Sequence, residues 1–371
     1  MTLPLTLPRA PVHCGAQRPL QQTKPVFRGP KPVSVSTQDR PVTSEAGIPQ
    51  DCSQLDALKH FSLVVADTGE IESIRKYKPI DCTTNPSLLY KAVQNPKYEH
   101  FLNDAVAAVK GPPSNSERPY GDIADALAVN IGLELLKIVP GRVSTEVDAR
   151  LSFDTQATVD KALQIVDLYS KKDTDLSRIY IKIASTWEGI RACEILQKQG
   201  IDTNMTLLFS FGQACAAADA GAALISPFVG RIMDWYKKKE GREFKPEEDP
   251  GVKSVQKIYS YYKEQKYPTI VMAASFRNIG EIRELAGCDN ITISPALLEE
   301  LEASHDPLPR KLWPNMGTKG QERINMKGDQ EPTFRKLHGD DQMAVDKLQE
   351  GIDGFAKDQT SLEALIQKIK G

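Results

Sequence analysis

The chain has 371 residues, 40% of them hydrophobic and 26% charged, with a formal net charge of −2. That balance fits a soluble globular protein with room for one large domain or two ordinary ones. It excludes a broadly basic nucleic-acid surface. No apolar run approaches the roughly 18–20 residues that span a bilayer as a helix, so neither nucleic acid nor membrane is an expected partner. The six cysteines, Cys14, Cys52, Cys82, Cys193, Cys215 and Cys288, form no CxxC pair and read as reduced thiols of an intracellular protein. The five histidines are scattered and no His/Cys cluster has metal-ligand spacing, so no metal and no other cofactor is expected.

Residues 1–50 differ from the rest. Prolines recur at positions 4, 8, 11, 19, 25, 30, 32 and 41, basic residues lie between them, and no acidic residue precedes Asp39. A Pro-studded, basic, acid-poor segment cannot build a core and is expected to be a disordered extension. Its composition matches an organelle transit peptide, and its proline content suits a plastid better than a mitochondrion. The expected location is therefore the plastid stroma, with a cytoplasmic protein carrying a disordered tail as the alternative. Residues 51–371 are expected to form one domain.

Within that domain eight short apolar runs follow in order: Ser62–Asp67, Asp81–Asn85, Val143–Asp148, Ile179–Ser185, Asn204–Ser210, Ala222–Val229, Thr269–Ser275 and Asn290–Pro295. Helical spacing of apolar residues predicts helices over Tyr120–Val139, Thr155–Tyr169 and Val252–Tyr262, and an alanine-rich one over Gly212–Ala220. Strands alternating with helices imply βαβ units and a parallel sheet. Eight of them in one domain predict a single α/β fold, a (β/α)8 TIM-type barrel with additional helices, rather than a doubly wound sheet. No GxGxxG or GxxxxGK[ST] motif argues for a nucleotide site.

In such a barrel the chemistry collects at the C-terminal ends of the strands. Lys182 lies in the middle of the β-branched run Ile179-Tyr-Ile-Lys-Ile-Ala-Ser185. A lysine there loses hydration, and burial favours the neutral amine, the form that attacks a ketone to make a Schiff base. The alternative is a structural ion pair, for which Glu146 on the third run is the obvious partner. Nearly every other run also carries a polar residue where a barrel normally packs Val, Ile or Leu. These are Asp67, Thr83 and Asn85, Glu146 and Asp148, Asn204 and Thr206, Ser226, Ser275, and Thr292 and Ser294. So many polar groups predict a shared site in the barrel mouth. Asp67 has a second reading as an N-cap of the next helix. Arg231 and Arg277 follow the sixth and seventh runs, where late βα loops often bind phosphate. Their alternative is surface pairing with the nearby Asp234, Glu281 and Glu284.

The motifs carrying these residues resemble those of the longer transaldolases of the pentose phosphate pathway. They are Asp81-Cys-Thr-Thr-Asn-Pro-Ser-Leu88, Val143-Ser-Thr-Glu-Val-Asp-Ala-Arg-Leu-Ser-Phe153, Ile181-Lys-Ile-Ala-Ser-Thr-Trp-Glu-Gly189, Asn204-Met-Thr-Leu-Leu-Phe-Ser210, Ile225-Ser-Pro-Phe-Val-Gly-Arg231, Asp249-Pro-Gly-Val-Lys-Ser254 and Ala274-Ser-Phe-Arg-Asn278. The resemblance runs from about Leu55 to near the C-terminus, where Leu337-His-Gly-Asp-Asp-Gln-Met343 and the helix after it match the family's closing segment near the active site.

The resemblance implies roles residue by residue. Lys182 corresponds to the Schiff-base lysine and Asp67 to the acid/base group on the substrate C4 hydroxyl. Glu146, with Thr206, corresponds to the pair that works through the catalytic water. Asn85 and Asn204 correspond to side chains that hold the dihydroxyacetone hydroxyls, Thr83 and Ser226 to the pocket lining, and Phe228 to an aromatic near the donor site. Arg231 and Arg277 correspond to the phosphate binders. Cys82 departs from the family, which usually has alanine there. The implied reaction moves a dihydroxyacetone unit from a ketose phosphate to an aldose phosphate without a cofactor, in an expected homodimer. The alternatives are a Schiff-base aldolase that releases free dihydroxyacetone, or a sugar-phosphate-binding barrel without catalysis.

Overall fold

All eight apolar runs are parallel strands in the computed structural model, which describes residues 51–111, 113, 118–316 and 321–370. The extension expected over residues 1–50 lies outside the described residues. The elements begin with α1 (Gln54–Phe61), β1 (Leu63–Asp67), α2 (Ile71–Tyr77), β2 (Asp81–Thr83), α3 (Pro86–Val93), α4 (Glu99–Ala108) and α5 (Gly121–Leu136). They continue with β3 (Val143–Glu146), α6 (Thr155–Ser170), β4 (Ile179–Ala184), α7 (Trp187–Lys198), β5 (Thr203–Leu208), α8 (Phe211–Asp219) and β6 (Leu224–Pro227). The remainder are α9 (Gly230–Glu240), α10 (Pro250–Glu264), β7 (Ile270–Ala273), α11 (Ile279–Glu284), β8 (Asn290–Ile293), α12 (Pro295–Ala303), α13 (Glu331–Gly339) and α14 (Gln342–Lys370).

The strands close in sequence order, β8 pairing back onto β1, so the sheet has no edge. Most strands stop earlier than their apolar runs because the polar residue at the end has become a helix cap. Asn85 caps α3 through Leu88 N, and Ser210 caps α8 with Gln213 in a reciprocal capping box.

Period-two alternation sorts each strand. Val64, Ala66, Cys82, Val143, Ile181, Ile183, Met205, Ile225, Val271 and Ile291 face outward into the main core shared with the surrounding helices. Cys82 therefore faces away from the barrel interior, its thiol donating to Thr68 O at 3.3 Å, so the departure expected at this position bears on sheet–helix packing. The interior is layered. Val65, Tyr180, Leu224 and Met272 form an apolar plug toward the N-terminal ends. Above them comes a polar layer. At the C-terminal ends Ala184, Leu207, Phe209, Phe228 and Ala274 form an apolar rim with Met343, Leu348, Ile352 and Phe355 of α14. The expected C-terminal helix thus lies on the barrel mouth.

One strand breaks the alternation. The pairing of β5 with β6 shifts register between Met205 and Leu208, and Leu207 has φ of 51°, uncommon for a residue with a side chain. The bulge lets both Thr206 and Leu207 face the barrel mouth, Thr206 in the polar layer and Leu207 in the rim beneath α14.

Candidate active site

The polar layer is assembled by register. Glu146 of β3 lies opposite Lys182 of β4, Lys182 opposite Asn204 of β5, and Asp67 of β1 opposite Thr83 of β2. A small cavity of about 50 Å³ opens above it, lined by Asp67, Thr83, Asn85, Lys182, Thr206, Ser226, Phe228, Arg231, Met272, Ala274, Ser275, Thr292 and Phe355.

Lys182 is 4% exposed. Its Nζ donates to Thr84 O at 3.2 Å and lies 3.1 Å from Glu146 Oε2. That ion pair is the structural partner expected of a buried lysine, but it is incomplete. Oε2 makes the contact without hydrogen-bond geometry, and Thr206 Oγ1 close by is buried with no partner. Burial pushes the Glu146 carboxyl above its ordinary value, and the Lys182 cation pulls it back only in part. The arrangement holds an amine beside a carboxyl that is poised to take or give a proton.

Asp67 does not cap a helix. Its Oδ1 accepts from Thr83 Oγ1 at 2.8 Å, and Thr83 shares a second contact of 2.8 Å with Thr292 Oγ1. This chain fixes the carboxylate across the cavity from the lysine. Asn85 uses Oδ1 to accept from Leu88 N at 2.9 Å, which leaves its amide N–H groups for the pocket it lines. Asn204 and Glu146 are not on the cavity wall. Asn204 donates to Ser144 Oγ at 3.1 Å and accepts from Ser226 Oγ at 2.6 Å, tying the layer together from below. Asp148, one of the polar residues of the third run, is held by Arg118 and Arg150 at 2.9 and 2.6 Å in a structural network.

The two arginines differ. Arg231 stacks on Phe228, 5.0 Å from the ring centre, and on Phe355 at 5.7 Å. Among the described residues no carboxylate lies within ion-pair distance of it, and burial together with the Arg277 cation pushes its guanidinium below its ordinary value. An unpaired, partly buried guanidinium at the edge of a cavity has the charge and free N–H groups that suit an anion. Arg277 sits beside it, yet its guanidinium turns away to Asp234, Nε at 3.0 Å and Nη2 at 2.7 Å. The surface pairing weighed as an alternative is thus the state seen for Arg277. Ser275 and Thr292, which the sequence placed among the polar groups of a shared site without a role, also line the cavity, as do Met272, Ala274 and Phe355, which it did not single out. Ser275 reaches it through a backbone φ of 60° that no local sequence signal announces.

A buried amine in the core of a closed parallel barrel, with one carboxylate on the adjoining strand β3, another on β1 and an unpaired guanidinium at the cavity, fits the class of enzymes that work through a Schiff base. The Transaldolase/Fructose-6-phosphate aldolase family matches residues 64–366. A transaldolase of Cellvibrio japonicus is 57% identical over 317 residues, covering 85% of this chain and 98% of the relative. Transaldolase A of Pasteurella multocida is 55% identical over 315 residues, and a transaldolase of Vibrio cholerae 56% over 314, each with the same coverage of 85% and 98%. The chain belongs to this family and is a transferase with transaldolase activity.

Proposed function

We propose that Lys182 carries the dihydroxyacetone unit covalently between a ketose phosphate and an aldose phosphate. The observation that carries this reading is the buried Nζ of Lys182, 3.1 Å from Glu146, at the floor of a cavity whose rim holds the unpaired Arg231.

Glu146 takes the ammonium proton, and the free amine attacks the ketone carbon of sedoheptulose 7-phosphate or fructose 6-phosphate. Water leaves through a relay of Glu146 and Thr206, whose unpartnered Oε2 and Oγ1 suit a bound water. Asp67 accepts the C4 hydroxyl proton, and the C3–C4 bonding electrons pass into the iminium to give an enamine. The aldose phosphate departs as the C4 aldehyde. Glyceraldehyde 3-phosphate or erythrose 4-phosphate then enters, the enamine carbon attacks its carbonyl carbon while Asp67 returns the proton to the new hydroxyl, and water hydrolyses the iminium to release the ketose phosphate and free Lys182. Asn85, Thr83 and Ser226 hold the three-carbon unit, with Asn204 fixing Ser226 from below. Arg231 binds the phosphate, and Arg277 swings from Asp234 to join it. The swing is cheap, because an exposed ion pair is worth only about 0–1 kcal/mol.

Treatment with borohydride in the presence of fructose 6-phosphate is expected to trap a covalent adduct on Lys182. No adduct, or one that persists in Lys182→Ala, would sink this mechanism.

We further infer that residues 1–50 direct the chain to a plastid. Their Pro-rich, acid-poor, basic composition supports this. Protein purified from its native source is expected to begin well after Met1. A native start at Met1 would overturn the targeting reading.

A further inference from the structure

The segment Asp249-Pro-Gly-Val-Lys-Ser254 takes no part in the chemistry above, yet it buries a carboxyl group. Asp249 is 2% exposed and caps α10, with Oδ1 accepting from Gly251 N at 2.7 Å and Val252 N at 3.3 Å. Glu281 of α11, fully buried, comes against it, and each carboxyl bears on the other's protonation. Two ionised carboxylates offer acceptors only, so they lie together favourably only with a proton on one. Glu281 Oε1 has no N–H or O–H donor. Its Oε2 accepts the backbone N–H of Arg277 at 2.7 Å.

The corner around this pair has no slack. A Cβ on Gly251 would lie 2.1 Å from Val229 O, and one on Gly280 2.6 Å from Pro246 Cγ. A Cβ on Gly230 would lie 2.6 Å from Arg277 Cγ and 2.7 Å from Ser275 O. The acid pair, the turn carrying Ser275 and Arg277, and the start of α9 carrying Arg231 are therefore packed backbone to backbone.

We propose that Asp249 and Glu281 share one proton and act as a positioning device for Arg277, holding the turn after β7 in the place from which its guanidinium reaches the substrate phosphate. This rests on the reading of Arg277 as a phosphate binder. The other charges bearing on the pair are Asp234 of α9, which disfavours ionisation of Asp249, and Arg277 itself, which favours ionisation of Glu281. Burial, reinforced by the Asp249 charge, pushes Glu281 up to about 8. A carboxyl raised in this way stabilises the turn while protonated, and its contribution fades as pH rises through about 8. Above that point two buried carboxylates repel, and the turn loosens.

Two measurements test this on the full-length enzyme. The infrared spectrum near neutral pH is expected to show a protonated-carboxyl band that both Glu281→Gln and Asp249→Asn remove. KM for fructose 6-phosphate is expected to rise roughly fivefold between about pH 7 and about pH 9.5 with little change in kcat, as one anchoring contact to a charged group weakens. In Glu281→Gln that rise is absent, because the amide still accepts from Arg277 N–H and donates to Asp249 but has no proton to lose. The substrate phosphate stays dianionic across this range, and other titrating groups are common to both enzymes. A missing band overturns the shared proton. A KM that rises equally in wild type and Glu281→Gln overturns the positioning role. A wild-type KM in Arg277→Ala overturns the phosphate reading beneath that role, while the infrared band still reports on the pair.

Discussion

Thr206 Oγ1 and Glu146 Oε2 are buried beside Lys182 without hydrogen-bond partners, and an unsatisfied buried polar group costs about 1–3 kcal/mol. Such groups persist where a guest, here a water or the substrate, satisfies them. Thr206→Val keeps the shape and removes the hydroxyl. It is expected to leave the thermal midpoint unchanged or slightly higher while lowering kcat by about tenfold or more, as loss of a proton-relay group does. Glu146→Gln is expected to lower kcat further, by roughly 10²–10⁴. Full kcat in Thr206→Val would remove the hydroxyl from the relay. Lys182, Asp67 and Glu146 were legible in the sequence because polar residues of one parity in buried strands must converge inside a barrel. Arg231 and Arg277 read alike in sequence, yet one stands open and the other pairs with Asp234, a difference of rotamer that no motif encodes.

The eight strands and the predicted helices α5, α6, α8 and α10 were legible at the scale of elements, because their periodicity is strong and tertiary packing agrees with it. The bulge in β5 was not. It needs Leu207 at positive φ, a conformation that leucine does not advertise, and it is held by α14 packed above. Gly351 of α14 is the fitted piece: a Cβ there would lie 2.6 Å from Leu207 Cδ2. Gly351→Val gains a few tenths of a kcal/mol in helix propensity but forces a side chain against a strained, fully buried leucine, an overpacking cost of about 1–3 kcal/mol. The expected result is a lower thermal midpoint and faster hydrogen exchange in α14. A variant with an unchanged midpoint and unchanged exchange would mean that the mouth has more room than the packing shows.

Across the whole molecule, α14 joins parts of the chain that the barrel strands alone do not. Trp235 Nε1 donates to Asp346 at 2.8 Å, Ser87 donates to Asp358, and Arg150 pairs with Glu363, so the helix is tied down above α9, α3 and the turn after β3. Phe355 reaches from it into the cavity and onto Arg231. The enamine proposed on Lys182 would survive only while water is kept from it. Phe355→Ala is therefore expected to raise the release of free dihydroxyacetone relative to transfer, measured by product analysis with and without an acceptor aldehyde. An unchanged ratio would show that the seal lies elsewhere. Phe355 escaped the sequence reading because an apolar residue in an amphipathic helix signals burial without saying against what.

The position of that helix in the chain also sets an order of events. Ribosomes make proteins from the N-terminus, so all eight strands, and Lys182 among them, emerge well before residues 342–370. A chain that stopped before residue 342 would carry all eight strands and Lys182, yet lack Phe355, the residue of that helix that lines the cavity.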